Sequence, residues 1–138
     1  MQNGIPVLGH IGLTPQSVQI LGHRVQGRGD EAAQQLIADA RAVEAAGAFA
    51  VVLEAVPGEL GTQVSAAVQI PVIGIGAGPG CDGQILVIND ILGLSGDFKP
   101  KFVKRYADLG TQIATAAAAY KSDVQTHAFP GPEHAYAP

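Results

Sequence analysis

Tryptophan is absent from this chain, and cysteine occurs once, as Cys81. A single cysteine cannot close a disulfide within the chain, which excludes a disulfide-stapled scaffold and fits a reducing cytosol. Charge is scarce as well. Eight Lys+Arg and twelve Asp+Glu amount to 14% of 138 residues, with a net charge of −4. No basic stripe emerges from so few cations, so nucleic acid is not an expected partner. No apolar run approaches membrane-spanning length. Met1-Gln2-Asn3-Gly4 lacks the basic and apolar regions of a secretory leader. The expectation is a soluble, cytoplasmic protein.

Apolar residues are plentiful at 47%, alongside 18 Gly and nine Pro. This length and composition suit one ordinary domain with a real core, built from short elements joined by tight turns. The low charge implies that much surface is covered by something else.

The stretch Ala50-Val51-Val52-Leu53-Glu54-Ala55-Val56-Pro57 organises the rest. Its β-branched run reads as a buried strand over Phe49–Leu53, with Glu54 at the carboxyl end. Ligands bind at that edge in parallel α/β architectures. Glu54 is thus a candidate proton-transfer residue, or a strand-end carboxylate paired with a nearby cation.

Ile5-Pro6-Val7-Leu8 predicts a first strand ending at Gly9-His10, although proline suits only a strand's start or edge. From Gly12 to Asp30 lies a long loop interrupted by Gly22, Gly27 and Gly29, of a kind that often binds or covers a ligand. Asp30 is positioned to cap a helix over Glu31–Ala46, and Gly47 to close it. A weaker helix follows over Gly58–Val68, then a strand over Val72–Ile75. Ile85–Ile88 predicts a fourth strand whose short link would permit an antiparallel hairpin. The strongest helical pattern is Lys101–Asp123, with Pro100 in its first turn. Phe102, Val103, Tyr106, Leu109, Ile113, Ala117, Tyr120 and Val124 form its expected buried stripe. Residues 126–138 form a surface tail.

Alternating strands and helices imply a parallel sheet. Four βα units fit a small doubly wound sheet, or half of an eight-stranded barrel of about 250 residues. The abrupt start and the charge-poor composition favour the half-barrel.

Few other residues offer chemistry. His10 would share an edge with Glu54, where it either meets a ligand carbonyl or carboxylate or bonds to backbone. Gly78-x-Gly80-x-x-Gly83 matches the dinucleotide fingerprint formally, but a strand-like run follows it instead of a helix, so that reading is rejected. These glycines either approach an anion with their N–H groups or form a tight turn. Cys81 has no basic neighbour in sequence to activate it, and Asp82 reads as a cap. Lys99, Lys101, Lys104 and Arg105 read as a solvated cluster. His10, His23, His127 and His134 do not fall at metal-ligand spacings.

Several ordered stretches nevertheless resemble one family. They are Ile5-Pro6-Val7-Leu8-Gly9-His10-Ile11-Gly12-Leu13-Thr14-Pro15-Gln16-Ser17, Val25-Gln26-Gly27-Arg28, Ala46-Gly47-Ala48-Phe49-Ala50-Val51-Val52-Leu53-Glu54, Ile73-Gly74-Ile75-Gly76-Ala77-Gly78, Cys81-Asp82-Gly83-Gln84, Pro100-Lys101-Phe102-Val103-Lys104 and the Phe129-Pro130/Glu133-His134 tail. Together they resemble ketopantoate hydroxymethyltransferase. The resemblance implies a (βα)8 barrel of which this chain matches the second half, with residues 1–125 forming it. It implies transfer of a one-carbon unit from 5,10-methylenetetrahydrofolate to 3-methyl-2-oxobutanoate, giving 2-dehydropantoate for pantothenate and coenzyme A synthesis. The family's proton acceptor falls on Glu54, and His10 matches a residue near the keto acid. Mg²⁺ chelates the keto acid in the family, but its acidic ligands and the substrate-binding Ser and Lys belong to the first half. Ala55 stands where Cys commonly follows the catalytic Glu. The expected partners are therefore a second copy or a separate first half, with an inactive half-barrel serving only in assembly as the alternative reading.

Overall fold

A computed structural model describes residues 4–97 and 99–137. The leader reading of Met1-Gln2-Asn3 lies outside them, as does Pro138 at the end of the tail. The chain forms two compact units, Met1–Leu86 and Val87–Pro138.

The first unit is a four-stranded, all-parallel sheet whose strand order follows chain order: β1 (Leu8–Gly12), β2 (Ala50–Glu54), β3 (Val72–Ile75) and β4 (Gly83–Gln84). A short helix α1 (Val18–Leu21) follows β1, preceded by a 3₁₀ turn at Pro15–Ser17. Helix α2 (Asp30–Ala45) leads to β2, and α3 (Gly58–Ala67) leads to β3. This is an α/β fold of successive strand-helix units.

The core lies on one sheet face. Ile11, Val51, Leu53 and Val72 present it, and Leu36, Ala40, Leu60 and Val64 of α2 and α3 cover it. Side chains alternate across a strand, so the opposite face belongs to His10, Val52, Glu54, Ile73 and Ile75. Helix α2 is rich in alanine, the strongest helix former, and Asp30 and Glu31 lie in its first turn, where the dipole favours acids.

Sequence expectation and structure differ at several boundaries. The first strand is displaced to Leu8–Gly12, which sets His10 in its middle instead of at its end. Pro6 has no N–H to give, and pairing reaches back only as far as the Val7 carbonyl, which accepts from Phe49 N–H. Asp30 is not a cap. It is a helical residue, and Gly29, at φ +83°, occupies the cap with no side-chain bond. The predicted fourth strand at Ile85–Ile88 is also corrected: β4 comes earlier, over two residues, and runs parallel to β3.

That short parallel crossover is possible because the glycine run folds down against α3. A Cβ at Gly78 would stand 2.5 Å from Gly58 Cα, and one at Gly80 would stand 2.0 Å from Thr62 Oγ1. At the bottom, Asp82 Oδ2 accepts Val72 N–H at 2.8 Å, tying the connector to the start of β3. Glu44 Oε1 accepts the N–H groups of Gln69 and Ile70 at 2.6 and 3.2 Å just before it. Two carboxylates thus satisfy the backbone at the entrance of this strand.

The second unit contains α4 (Ile88–Leu92) and α5 (Leu109–Gln125). The helix predicted over Lys101–Asp123 begins instead at Leu109. Tyr106 and Ala107 donate their N–H groups to the Ile91 carbonyl, and Asp108 caps the helix through Thr111 N–H. These bonds turn the preceding stretch away from helical geometry. The expected buried stripe fails too, since α5 buries none of its residues. Of that stripe only Val103, ahead of the helix, is buried. The tail returns to α5: Phe129 lies edge-on to Tyr120 at 5.6 Å and against the His134 ring at 4.9 Å. Among the described residues, no helix is long and apolar enough to cross a membrane.

Leu53 is fully buried at the centre of the first unit. Leu53→Ala is expected to cost about 3 kcal/mol, read as a lower urea midpoint at unchanged slope.

Candidate active site

Parallel pairing sets Gly12 opposite Glu54 and His10 opposite Val52. Glu54 and His10 therefore share the sheet face that α2 and α3 leave uncovered, two register positions apart. Gly12 has no side chain to stand between them. His10 Nε2 reaches Glu54 Oε2 at 3.1 Å, the distance of an N–H donating to a carboxylate. The side chains remain 31% and 24% exposed, so both the pair and a small ligand can share the space. Among the described residues Glu54 Oε1 has no partner.

The backbone around Glu54 is fixed from both sides. Its carbonyl accepts Leu13 N–H at 3.0 Å, while Ala55 N–H donates to Ile75 O at 2.9 Å and Val56 N–H to Gly76 O at 3.2 Å. Ala55 O accepts Gln26 N–H at 2.8 Å, bringing the connector after β1 onto this edge. Ala55 itself holds φ +52°, a left-handed conformation uncommon outside glycine. Such conformations persist only where surrounding bonds enforce them, and they cluster at functional sites.

Of the candidate catalytic and substrate-binding residues, His10 and Glu54 come together. Cys81 packs against Gly61 and Gly74. Burial pushes its thiol above the ordinary value, the neighbouring Ser65 hydroxyl opposes this, and the Asp82 charge adds to it. An inert, protonated thiol results. Asp82 is committed to Val72 N–H, and the glycine run to packing on α3. In the second unit Lys104 Nζ lies 4.8 Å from the Tyr106 ring centre, and Arg105 donates to the Gly96 carbonyl. Among the described residues, no group of three or more His, Cys, Asp or Glu could hold a metal ion. The sequence reading passed over Gly12 and Ala55 as positions that shape the site. Their signal was a glycine at the end of β1 in register with the strand-end carboxylate.

A parallel α/β sheet with a hydrogen-bonded His–Glu pair at its carboxyl edge places this chain among the βα-repeat proteins, whose ligands bind where strands end. The family is ketopantoate hydroxymethyltransferase: the chain belongs to it, matching over residues 1–132. It is 61% identical to the 3-methyl-2-oxobutanoate hydroxymethyltransferase of Ruegeria sp. (strain TM1040), across 99% of this chain and 49% of that protein. The protein of that name from Streptomyces coelicolor is 60% identical, with 97% and 46% covered. That from Paracoccus denitrificans is 58% identical, with 96% and 49% covered. The chain spans about half the length of the curated relatives it matches.

Gly12 holds φ +86°, and a Cβ there would lie 2.3 Å from the Glu54 carbonyl oxygen. Gly29 has a similar φ of +83° but open space around it. Gly29→Ala should lose about 1 kcal/mol in urea unfolding, and Gly12→Ala about 3 kcal/mol, because overpacking adds to strain. Equal losses would show that the Gly12–Glu54 contact constrains nothing.

Proposed function

We propose that the chain carries the proton-abstracting half of a 3-methyl-2-oxobutanoate hydroxymethyltransferase, a cytoplasmic enzyme of pantothenate and coenzyme A synthesis. The observation that supports this most is the 3.1 Å pairing of His10 with Glu54 at the carboxyl edge of the sheet. Strand order following chain order, with no reversal, suits half of a (βα)8 barrel better than a doubly wound sheet.

In this reading Glu54 takes the proton from the carbon next to the keto group. His10 holds Oε2 and leaves Oε1 facing the substrate, so the carboxylate acts in one orientation instead of several. The resulting enolate carbon forms a bond to the one-carbon unit of 5,10-methylenetetrahydrofolate; water supplies the hydroxyl oxygen, and tetrahydrofolate leaves as both of its C–N bonds to that carbon break. His10 is then a positioning residue first, and a contact to the keto acid second. The family's Mg²⁺ does not fit the described residues, which offer no cluster of ligands for it. Its ligands belong to a segment outside these 138 residues, in the same polypeptide or another, and no step here passes through it.

The same gap supports the second reading, an assembly partner without turnover of its own. In either case β1 is an edge strand among the described residues, with Ile5 and Val7 exposed just before it and Leu8 exposed at its start. An unpaired apolar edge invites another strand, so the proposed state is a homo-oligomer or a complex with a separate first half.

Two measurements test these readings. Deuterium exchange at the carbon next to the carbonyl of 3-methyl-2-oxobutanoate, followed by NMR with Mg²⁺ present, should be catalysed once the chain is combined with the first half of the Ruegeria relative. Glu54→Gln should slow it by roughly a thousandfold. Unchanged exchange would assign the base to another residue, and no exchange in the parent complex would leave the assembly role. Light scattering of the chain alone at micromolar concentration should show an oligomer; a stable monomer contradicts the open-edge argument.

A further inference from the structure

The connector after β1 leaves the sheet and returns to it at one place. Leu13 N–H bonds to the Glu54 carbonyl at 3.0 Å, and Gln26 N–H bonds to the Ala55 carbonyl at 2.8 Å. Residues 14–25 therefore hang from two consecutive peptides, the first of them that of the base itself. We propose that this loop is a lid that folds over His10 and Glu54 when a small 2-oxo acid is bound, laying Ile20 and Leu21 on the ligand. The proposal rests on the keto-acid chemistry assigned to Glu54 above.

Four observations carry it. The posts of the loop are fixed, since Gly27 beside the Gln26 anchor is wedged into the core. A Cβ there would stand 2.4 Å from Leu60 Cδ2 and 2.7 Å from Leu36 Cδ1. The span between the posts is loosely packed by contrast. Ser17 N–H bonds to Thr14 O, Gly22 N–H to Val18 O and Arg24 N–H to Gly22 O, all within the loop. Helix α1 buries none of its residues, Gly22 stands in open space, and a hollow of about 410 Å³ separates α1 from the Gln26 anchor. Few buried contacts are the mark of a segment that opens at low cost.

The third observation is a match of exposed surfaces. Ile20 is 88% exposed and Leu21 41%, beside a base and histidine that are themselves part-exposed. Closure removes both surfaces from water together. The fourth is charge: residues 14–25 contain no Asp or Glu but do contain Arg24. Such a loop is attracted to a carboxylate base with an anionic keto acid beside it. The neighbouring connectors offer no rival. Residues 55–57 are too few to cover anything, and the glycine run before β4 is held against α3. A closed lid keeps solvent from returning a proton to the enolate, and its reopening admits the remaining reactants.

The test is amide hydrogen–deuterium exchange, read by mass spectrometry, on the chain combined with the first half of the Ruegeria relative. Samples with Mg²⁺ are compared with and without 3-methyl-2-oxobutanoate. Amides of residues 18–25 should exchange about tenfold more slowly when the keto acid is present, while those of α2 stay unchanged. Ile20→Ser and Leu21→Ser should each lose most of that protection at an unchanged urea midpoint, because both side chains are exposed. Protection that is absent in the parent, or equally strong in both serine variants, would overturn the lid. Deuterium entry into the keto acid, followed in the same samples, separates this idea from the role of Glu54. Substrate exchange beneath an unprotected loop removes the lid alone. Loop protection without substrate exchange supports the lid and sinks the base, and the absence of both sinks the two together.

Discussion

The peptide on either side of Glu54 is bonded to both neighbouring strand ends, and the remaining features of the site depend on that. Leu13 N–H holds the Glu54 carbonyl from the β1 side, and Ile75 and Gly76 receive Ala55 and Val56 from the β3 side. With the backbone clamped, the carboxylate can swing only about its own side-chain bonds, and His10 limits even those. Gly12 makes the arrangement possible by leaving room for the Glu54 carbonyl, and Ala55 takes the strained conformation that follows. A base fixed in this way loses little entropy when substrate arrives.

Much of this was readable in the residues, for identifiable reasons. A β-branched run ending in a carboxylate marked β2 and placed Glu54 correctly, because burial on both faces leaves a continuous apolar signal. The pairing of His10 with Glu54 was only half legible. Its partners were visible, but the register that sets them two positions apart depends on where β1 starts, and Pro6 misled on that point. Helix α5 was misplaced at its start because apolar spacing continues through 101–108, where backbone bonds to Ile91 prevail over the pattern. The exposure of its apolar residues could not be read from periodicity, which reports a stripe without saying what covers it.

The glycine run shows the same limit in another form. Its spacing permitted a phosphate cradle or a tight turn, and the deciding fact is the close approach of α3, a tertiary contact with no local signature. Gly58 facing Gly78 lets two backbones nearly touch, and the link between parallel strands then needs no helix of its own.

Glu44 and Asp82 hold the opposite end of β3 from the one where Glu54 sits. The sheet therefore has a fastened floor and a working rim. The entrance of β3 is tied from below, by carboxylates on α2 and on the connector before β4, separately from the bonds that clamp the rim. Between Leu13 and Gln26, whose bonds hold the Glu54 and Ala55 carbonyls, the rim loop can change while those two anchors remain. New ligand preferences could arise on this scaffold by rewriting residues 14–25, with Leu13, Gln26 and Gly27 kept to hold the loop on the sheet and core.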